Sequence, residues 1–224
     1  MLSDSLKSSE GVLFVFIFTD TGVYQMNNDN YSAGLTREQF LFDEMRITAG
    51  LMEQGYDDKQ IVDMVKAENL YQYPTEKMLR SKALSCIRRL RALDNNQLVY
   101  QLANGSHMLA KQVNLYAAMR DNAIVWDFFV YVIGEKYRSQ DLNFTKRDMN
   151  GFINELMDRV PKCTEWSETT ETKIKQVLKK MMVECGYLSD LKSERLEQIY
   201  LYPQLEDGIA ANGDRAVLAA FNRL

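Results

Sequence analysis

Apolar residues recur at helical spacing along most of the chain. At 100° per residue, Leu79, Ala83, Cys86, Ile87, Leu90 and Leu93 share one face. Ile174, Val177, Leu178, Met181 and Cys185 do the same further on. Start signals divide the pattern into elements. Thr36-Arg37-Glu38-Gln39 has the form of a capping box and predicts a helix carrying Phe40, Leu41, Ile47 and Leu51. Asp57, with Gln60 three residues on, opens a second helix with Ile61, Val62 and Val65 inward. Thr75 caps a third, running to Leu93. Short links join these into a tri-helical unit of the helix-turn-helix kind, although any small bundle satisfies the same spacing.

The pattern continues through Leu98 and Leu102 and breaks at Asn104-Gly105-Ser106. A helix over roughly 108–119 follows. Asp121 is a candidate cap for AIVWDFFVYVIGEKY, whose apolar residues lie nearly all round, as in a central core helix. Thr145 opens a run with Phe152, Ile153, Leu156 and Met157, closed by Pro161. Ser167 or Thr169 starts the next, and Gly186 stops it. Tyr187-Leu188 and Gln198 to Pro203 then predict a small hairpin. Helix 145–159, helix 168–185 and a wing at 187–202 have the order of a winged helix-turn-helix. The closing AVLAAFNRL is expected to dock back on the body.

The expected fold class is therefore mainly α, a helical bundle with helix-turn-helix-like modules and one small, winged-helix-like β hairpin. The expected divisions are an N-terminal extension at 1–30, a tri-helical domain at 31–96 and a helical domain at 97–224 whose winged part spans 145–202. Within the extension, Val12 to Phe18 is a β-rich apolar run that needs covering as a strand. The segment from Met26 could itself begin a protein, which makes the first 25 residues a gene-start extension or an added strand.

Composition narrows the function. With 46% hydrophobic residues in 224, the chain can bury a sizeable core. Its 27 basic and 31 acidic side chains give a formal charge of -4. That does not point to a histone-like polyanion binder and does not exclude one either, because a local patch sets the local field. Cys86, Cys163 and Cys185 form no CxxC pair and are expected as reduced thiols of a cytoplasmic protein. No apolar run is long enough to span a membrane. Catalysis is poorly supported. There is no phosphate-binding glycine loop, GxGxxG, HExxH or GxSxG. The one histidine, His107, lacks clustered ligands, so neither metal nor other cofactor is expected.

The charged residues point elsewhere. In 75–93, Lys77, Arg80, Arg88 and Arg91 form one ridge beside the apolar face, with Lys82 and Arg89 flanking the core from the other side. Like charges held together need acidic neighbours or a phosphate backbone. In 168–185, Lys173 and Lys180 lie on one flank, and Lys175 and Lys179 on the other. Thr172 and Gln176 add short hydrogen-bonding groups. Lysine and threonine suit phosphates, and glutamine can reach a base edge. Flanking lysines also snorkel from ordinary apolar faces.

Two blocks carry a family resemblance. YSAGLTREQFLFDEMRITAGLMEQGYDDKQI followed by TEKMLRSKALSCIRRLRAL resembles the start of the BrxA family of BREX phage-exclusion systems. TTETKIKQVLKKMMVECGYL is similar to that family's second shared block, and the likeness runs from about Tyr31 to Leu205. The resemblance implies a part in phage defence beside larger BREX proteins, including a methyltransferase and an ATPase-like component. It also implies double-stranded DNA binding through helix-turn-helix-like modules. Two alternatives stand beside this: an adaptor for other BREX proteins, carried by exposed tyrosines such as Tyr187, Tyr200 and Tyr202, or RNA binding in the manner of NusB. Neither a small-molecule substrate nor a membrane is implied.

Overall fold

The computed structural model describes residues 30–223. The apolar run at Val12 to Phe18 lies outside the described residues. From the N-terminal side, α1 (Leu35–Glu38), α2 (Phe42–Glu53), α3 (Asp58–Ala67) and α4 (Glu76–Leu93) lead into α5 (Asn96–Asn104) and α6 (His107–Asp121). A long central element follows: α7 (Ala123–Asp127), a π-helical stretch (Phe128–Ile133) and α8 (Gly134–Arg138). Next come α9 (Lys146–Arg159), α10 (Pro161–Thr164), α11 (Glu168–Glu184), α12 (Pro203–Ala211) and a 3-10 helix (Arg215–Phe221).

Most boundaries have the causes expected of them. Asp57 and Gln60 close a reciprocal capping box on α3. Thr75 accepts from the Met78 N–H at the start of α4. Thr145 and Asp148 cap α9, and Ser167 caps α11. Gly186 ends α11 with φ at 80°, a conformation open to glycine at little cost. Two boundaries differ. The capping box expected at Thr36 does not form, because Thr36 lies inside α1 with its hydroxyl donating to the Ala33 carbonyl, and the helix breaks where Gln39 and Leu41 take positive φ and separate α1 from α2. The cap of α7 is Asn122, whose Oδ1 accepts from the Ile124 N–H, while Asp121 ends α6 and pairs with arginines of α4.

The main apolar cluster draws on α1, α2 and α4 as well as on everything from α5 to the C-terminal 3-10 helix. A smaller cluster of Leu51, Ile61, Val65, Tyr71, Leu79, Ala83 and Ile87 joins α2, α3 and α4. The helices α6 and α7 are buried almost all round, as their composition predicts. The C-terminal 3-10 helix lies across the π stretch and α8, where Gly134 lets it approach: a Cβ there would lie 2.9 Å from Ala219 Cβ.

The expected hairpin at 187–202 is absent: among the described residues there is no strand, only one isolated antiparallel bridge, Asn143 to Arg195. The backbone groups that would have formed the second ladder go elsewhere. The Leu196 N–H donates to the Leu142 carbonyl, and the Phe144 N–H to the Glu194 carbonyl. One bond, from the Glu197 N–H to the Tyr187 carbonyl, joins the two arms. Tyr187, Leu188, Leu196 and Leu201 are buried, so the segment follows the core surface instead of projecting as a wing. The link from α3 to α4 occupies residues 68–75, longer than the three or four residues of a helix-turn-helix.

Candidate nucleic-acid interface

The break between α1 and α2 organises the basic residues of α4. With Gln39 and Leu41 in positive φ, the Phe40 carbonyl is freed from helical bonding and turns inward. It accepts from Asn114 Nδ2 at 2.8 Å and Arg89 Nη1 at 3.4 Å. The same turn brings Glu38 against α4. Arg88 Nη2 donates to Glu38 Oε2 at 2.6 Å and to Asp121 Oδ2 at 2.9 Å, and its Nε to Asp121 Oδ1 at 2.7 Å. Arg89 stands 3.6 Å from both carboxylates. Burial pulls the Glu38 carboxyl up, but the Arg88 hydrogen bond and the charges of Arg88 and Arg89 outweigh it and hold it below the ordinary range. The Asp121 hydrogen bonds hold the Arg88 guanidinium firmly charged.

This sorts the basic residues of α4, the ridge of Lys77, Arg80, Arg88 and Arg91 with Arg89 on its other flank, into two groups. Arg89 is only 1% exposed and no surface contact is open to it. Arg88 is exposed at its edge but engaged by two carboxylates, so both arginines tie α1 and α6 to α4. Arg91 pairs with Asp58 at 2.7 Å, both well exposed, and such pairs are worth little and exchange readily. Lys77 and Arg80 are exposed and have no ion pair among the described residues. Met78 and Leu84, 39% and 44% exposed, share their surface.

On α11, Thr172, Lys173 and Gln176 are exposed, and Lys175 and Lys179 are half-buried. Lys175 lies 3.8 Å from Glu171, one turn back. Lys173 and Lys179 have no ion pair among the described residues. At helical spacing Lys173, Gln176 and Lys180 form one stripe. That stripe borders α1, which packs against α11, and Lys180 Nζ lies 3.4 Å from Gln39 Oε1. From α4, Lys82 Nζ donates to the Arg37 carbonyl. The two basic helices thus reach the same short segment. Lys82 and Lys180 could be seen in the sequence as flanking lysines, but their approach to α1 spans 45 and 141 positions and leaves no local signal.

A second polar cluster has no precedent in the sequence pattern. Asp127, where α7 passes into the π stretch, accepts from the Tyr31 hydroxyl at 2.7 Å and from Arg159 Nη2 at 2.5 Å. Burial pushes the Asp127 carboxyl up despite Arg159 and Tyr31. Asp127 and Arg159 line a small cleft with Tyr131, Phe152 and Glu155. Its carboxylate is already partnered, and it ties the start of the described chain and the end of α9 to the central helix. His107 lies edge-on to Phe42 at 5.1 Å. No group of three or more metal-ligating side chains occurs among the described residues, and no described helix is long and apolar enough to cross a membrane.

Fold and surface together define a mostly helical protein in which α4 and α11, both in contact with the α1 segment, carry exposed cations without an ion pair among the described residues. The BrxA family model matches residues 29–213. The chain belongs to the BrxA family. It is 28% identical over 185 residues to "BREX protein BrxA" of Bacillus cereus (strain H3081.97), covering 82% of this chain and 92% of that one. It is 22% identical over 193 residues to "BREX protein BrxA" of Paramagnetospirillum magneticum, covering 86% and 96%. A crystal structure of an uncharacterized protein from Magnetospirillum magneticum has the same fold, with a TM-score of 0.73 at 22% identity over 86% of this chain and 98% of that one.

Proposed function

We propose that this protein is a non-enzymatic, double-stranded DNA-binding component of a BREX phage-defence system, acting in the cytoplasm beside other BREX proteins. Family membership supports the setting. The observation that carries DNA binding is the sorting of cations. Arg88 and Arg89 are engaged by Glu38 and Asp121, whereas Lys77, Arg80 and Lys173 are exposed without an acidic partner among the described residues. Unpaired, clustered cations are what a phosphate backbone selects. Gln176, between Lys173 and Lys180, is the one side chain of the stripe suited to a base edge. Sequence preference is correspondingly weak. Contact is made by helix faces, with no projecting wing.

The test is duplex binding across a salt series. Lys77→Ala with Arg80→Ala, and separately Lys173→Ala with Lys179→Ala, should each weaken binding and flatten its salt dependence by about one unit of slope per lost contact. An affinity for duplex that stays flat between roughly 50 and 200 mM salt contradicts phosphate contact. Structured RNA that outcompetes duplex of equal length favours the NusB-like alternative. One observation favours an adaptor role as well: Tyr200 is 69% exposed and stacks edge-on with Tyr202. Tyr187, by contrast, is buried among Phe129, Tyr137 and Phe221, and offers nothing to a partner. Loss of defence in Tyr200→Ala with duplex binding intact is the result that would favour the adaptor.

A further inference from the structure

We propose that α1 is the centre of the DNA-contacting face, with Arg37, Lys82 and Lys180 holding the phosphates of one strand, so that α4 and α11 grip the same duplex. The inference rests on the DNA-binding reading above and specifies its geometry. Three observations carry it. First, Lys82 of α4 and Lys180 of α11 converge on the α1 segment, one on the Arg37 carbonyl and the other on the Gln39 side-chain amide. Arg37 and Gln39 are two residues apart, so their Cα atoms are separated by at most about 7 Å. With the reach of the Gln39 side chain and the two hydrogen bonds added, the two ammonium groups lie within roughly 20 Å of each other, the span of a few phosphates on a strand that carries one charge per roughly 3.4 Å of axis.

Second, both lysines make their hydrogen bonds to neutral acceptors. Glu38, the carboxylate of α1, is engaged by Arg88 and Arg89, and Glu44 acts on Lys82 through its charge without a hydrogen bond or ion pair to it. Arg37 itself is exposed and has no ion pair among the described residues. An ammonium on a carbonyl or an amide keeps its full charge for an incoming phosphate, whereas a carboxylate partner would have to be displaced. Third, the segment is conformationally specified. Gln39, at φ 49° and ψ -151°, and Leu41, at φ 51° and ψ 44°, hold backbone conformations that side-chain-bearing residues seldom adopt. Such conformations persist only where the surroundings over-determine them, and they gather at ligand clamps. Here the Arg89 and Asn114 bonds to the Phe40 carbonyl fix the turn. That fixes Arg37 and Gln39 against the two helices.

The experiment measures duplex binding by the full chain over a salt series for Arg37→Ala, for Lys180→Ala and for the double variant. Arg215→Ala, an exposed arginine of the C-terminal 3-10 helix, serves as the control. Arg37 and Lys180 are exposed, so neither substitution threatens the fold. Each should lower the salt slope by about one and the double variant by about two, with Arg215→Ala unchanged. Wild-type protein should also give one binding event whose slope falls in both the Lys77/Arg80 and the Lys173/Lys179 variants. If the wild type binds duplex with a steep salt dependence that Arg37→Ala and Lys180→Ala leave unmoved, the shared face is wrong while DNA binding stands. Two separable events, one lost in each helix variant, overturn the single grip in the same way. No salt-dependent duplex binding by the wild type overturns both proposals.

Discussion

Arg89→Met separates a structural arginine from a binding one most sharply. Methionine keeps the apolar stem in place and removes only the guanidinium. Arg89 is 1% exposed and stands 3.6 Å from both Glu38 and Asp121. Breaking a buried ion pair from one side commonly costs about 3–5 kcal/mol, because the partner's charge stays buried without compensation. Here the compensation is only partly lost. Arg88 still holds Glu38 at 2.6 Å and Asp121 at 2.7 Å, and Asn114 still donates to the Phe40 carbonyl. The lower end, about 3 kcal/mol, is therefore expected. For a chain of this size that is a fall in Tm of roughly 6–12 °C. Urea and thermal unfolding read it directly. Adding Glu38→Gln should recover part of the loss, since less unpaired charge remains. Arg80→Met, at an exposed site, should stay within about 0.5 kcal/mol of wild type while weakening duplex binding. A stability change below about 1 kcal/mol for Arg89→Met, with duplex affinity lost, would refute the division into structural and binding cations.

The Glu38 carboxyl is held below its ordinary value, so its contribution to stability is fully present above about pH 4.3 and is lost as pH falls through its depressed native value. Acid unfolding followed by circular dichroism should show a shallower loss in Glu38→Gln over that window. Gly134→Val should cost about 1–3 kcal/mol by overpacking and loosen the C-terminal 3-10 helix, seen as earlier proteolysis of the tail, because a Cβ there would lie 2.9 Å from Ala219 Cβ. Burial pushes the Cys86 thiol up to about 12 and the Cys163 thiol up to about 11, and raises that of Cys185 also. None of the three should react with a thiolate-selective reagent near pH 8 until the protein unfolds, and rapid native labelling would contradict this.

The sequence by itself determined what depends on near neighbours. Helical periodicity set which faces of α4 and α11 turn inward, since the atoms involved lie within one or two turns. Asp57, Thr75, Thr145, Ser167 and Gly186 set boundaries of α3, α4, α9 and α11, because a cap acts on backbone groups two or three residues away. The two shared blocks were enough to indicate the BrxA family. The hairpin was misjudged for a related reason. The Leu196 N–H and the Glu194 carbonyl are claimed by Leu142 and Phe144, in the segment before α9, and no local pattern shows competing partners that far away. Tertiary structure alone decided which basic residues are available. Lys77, Arg80, Arg88 and Arg91 share one ridge in the sequence, and Arg89 lies beside the apolar face, but nothing local says which of them is neutralised. Arg88 meets Glu38 and Asp121 from 50 and 33 positions away, Arg89 is buried between the same carboxylates, and Lys77 and Arg80 face outward. A charge is neutralised by whatever the fold brings within a few ångströms, and that distance is uncorrelated with separation along the chain.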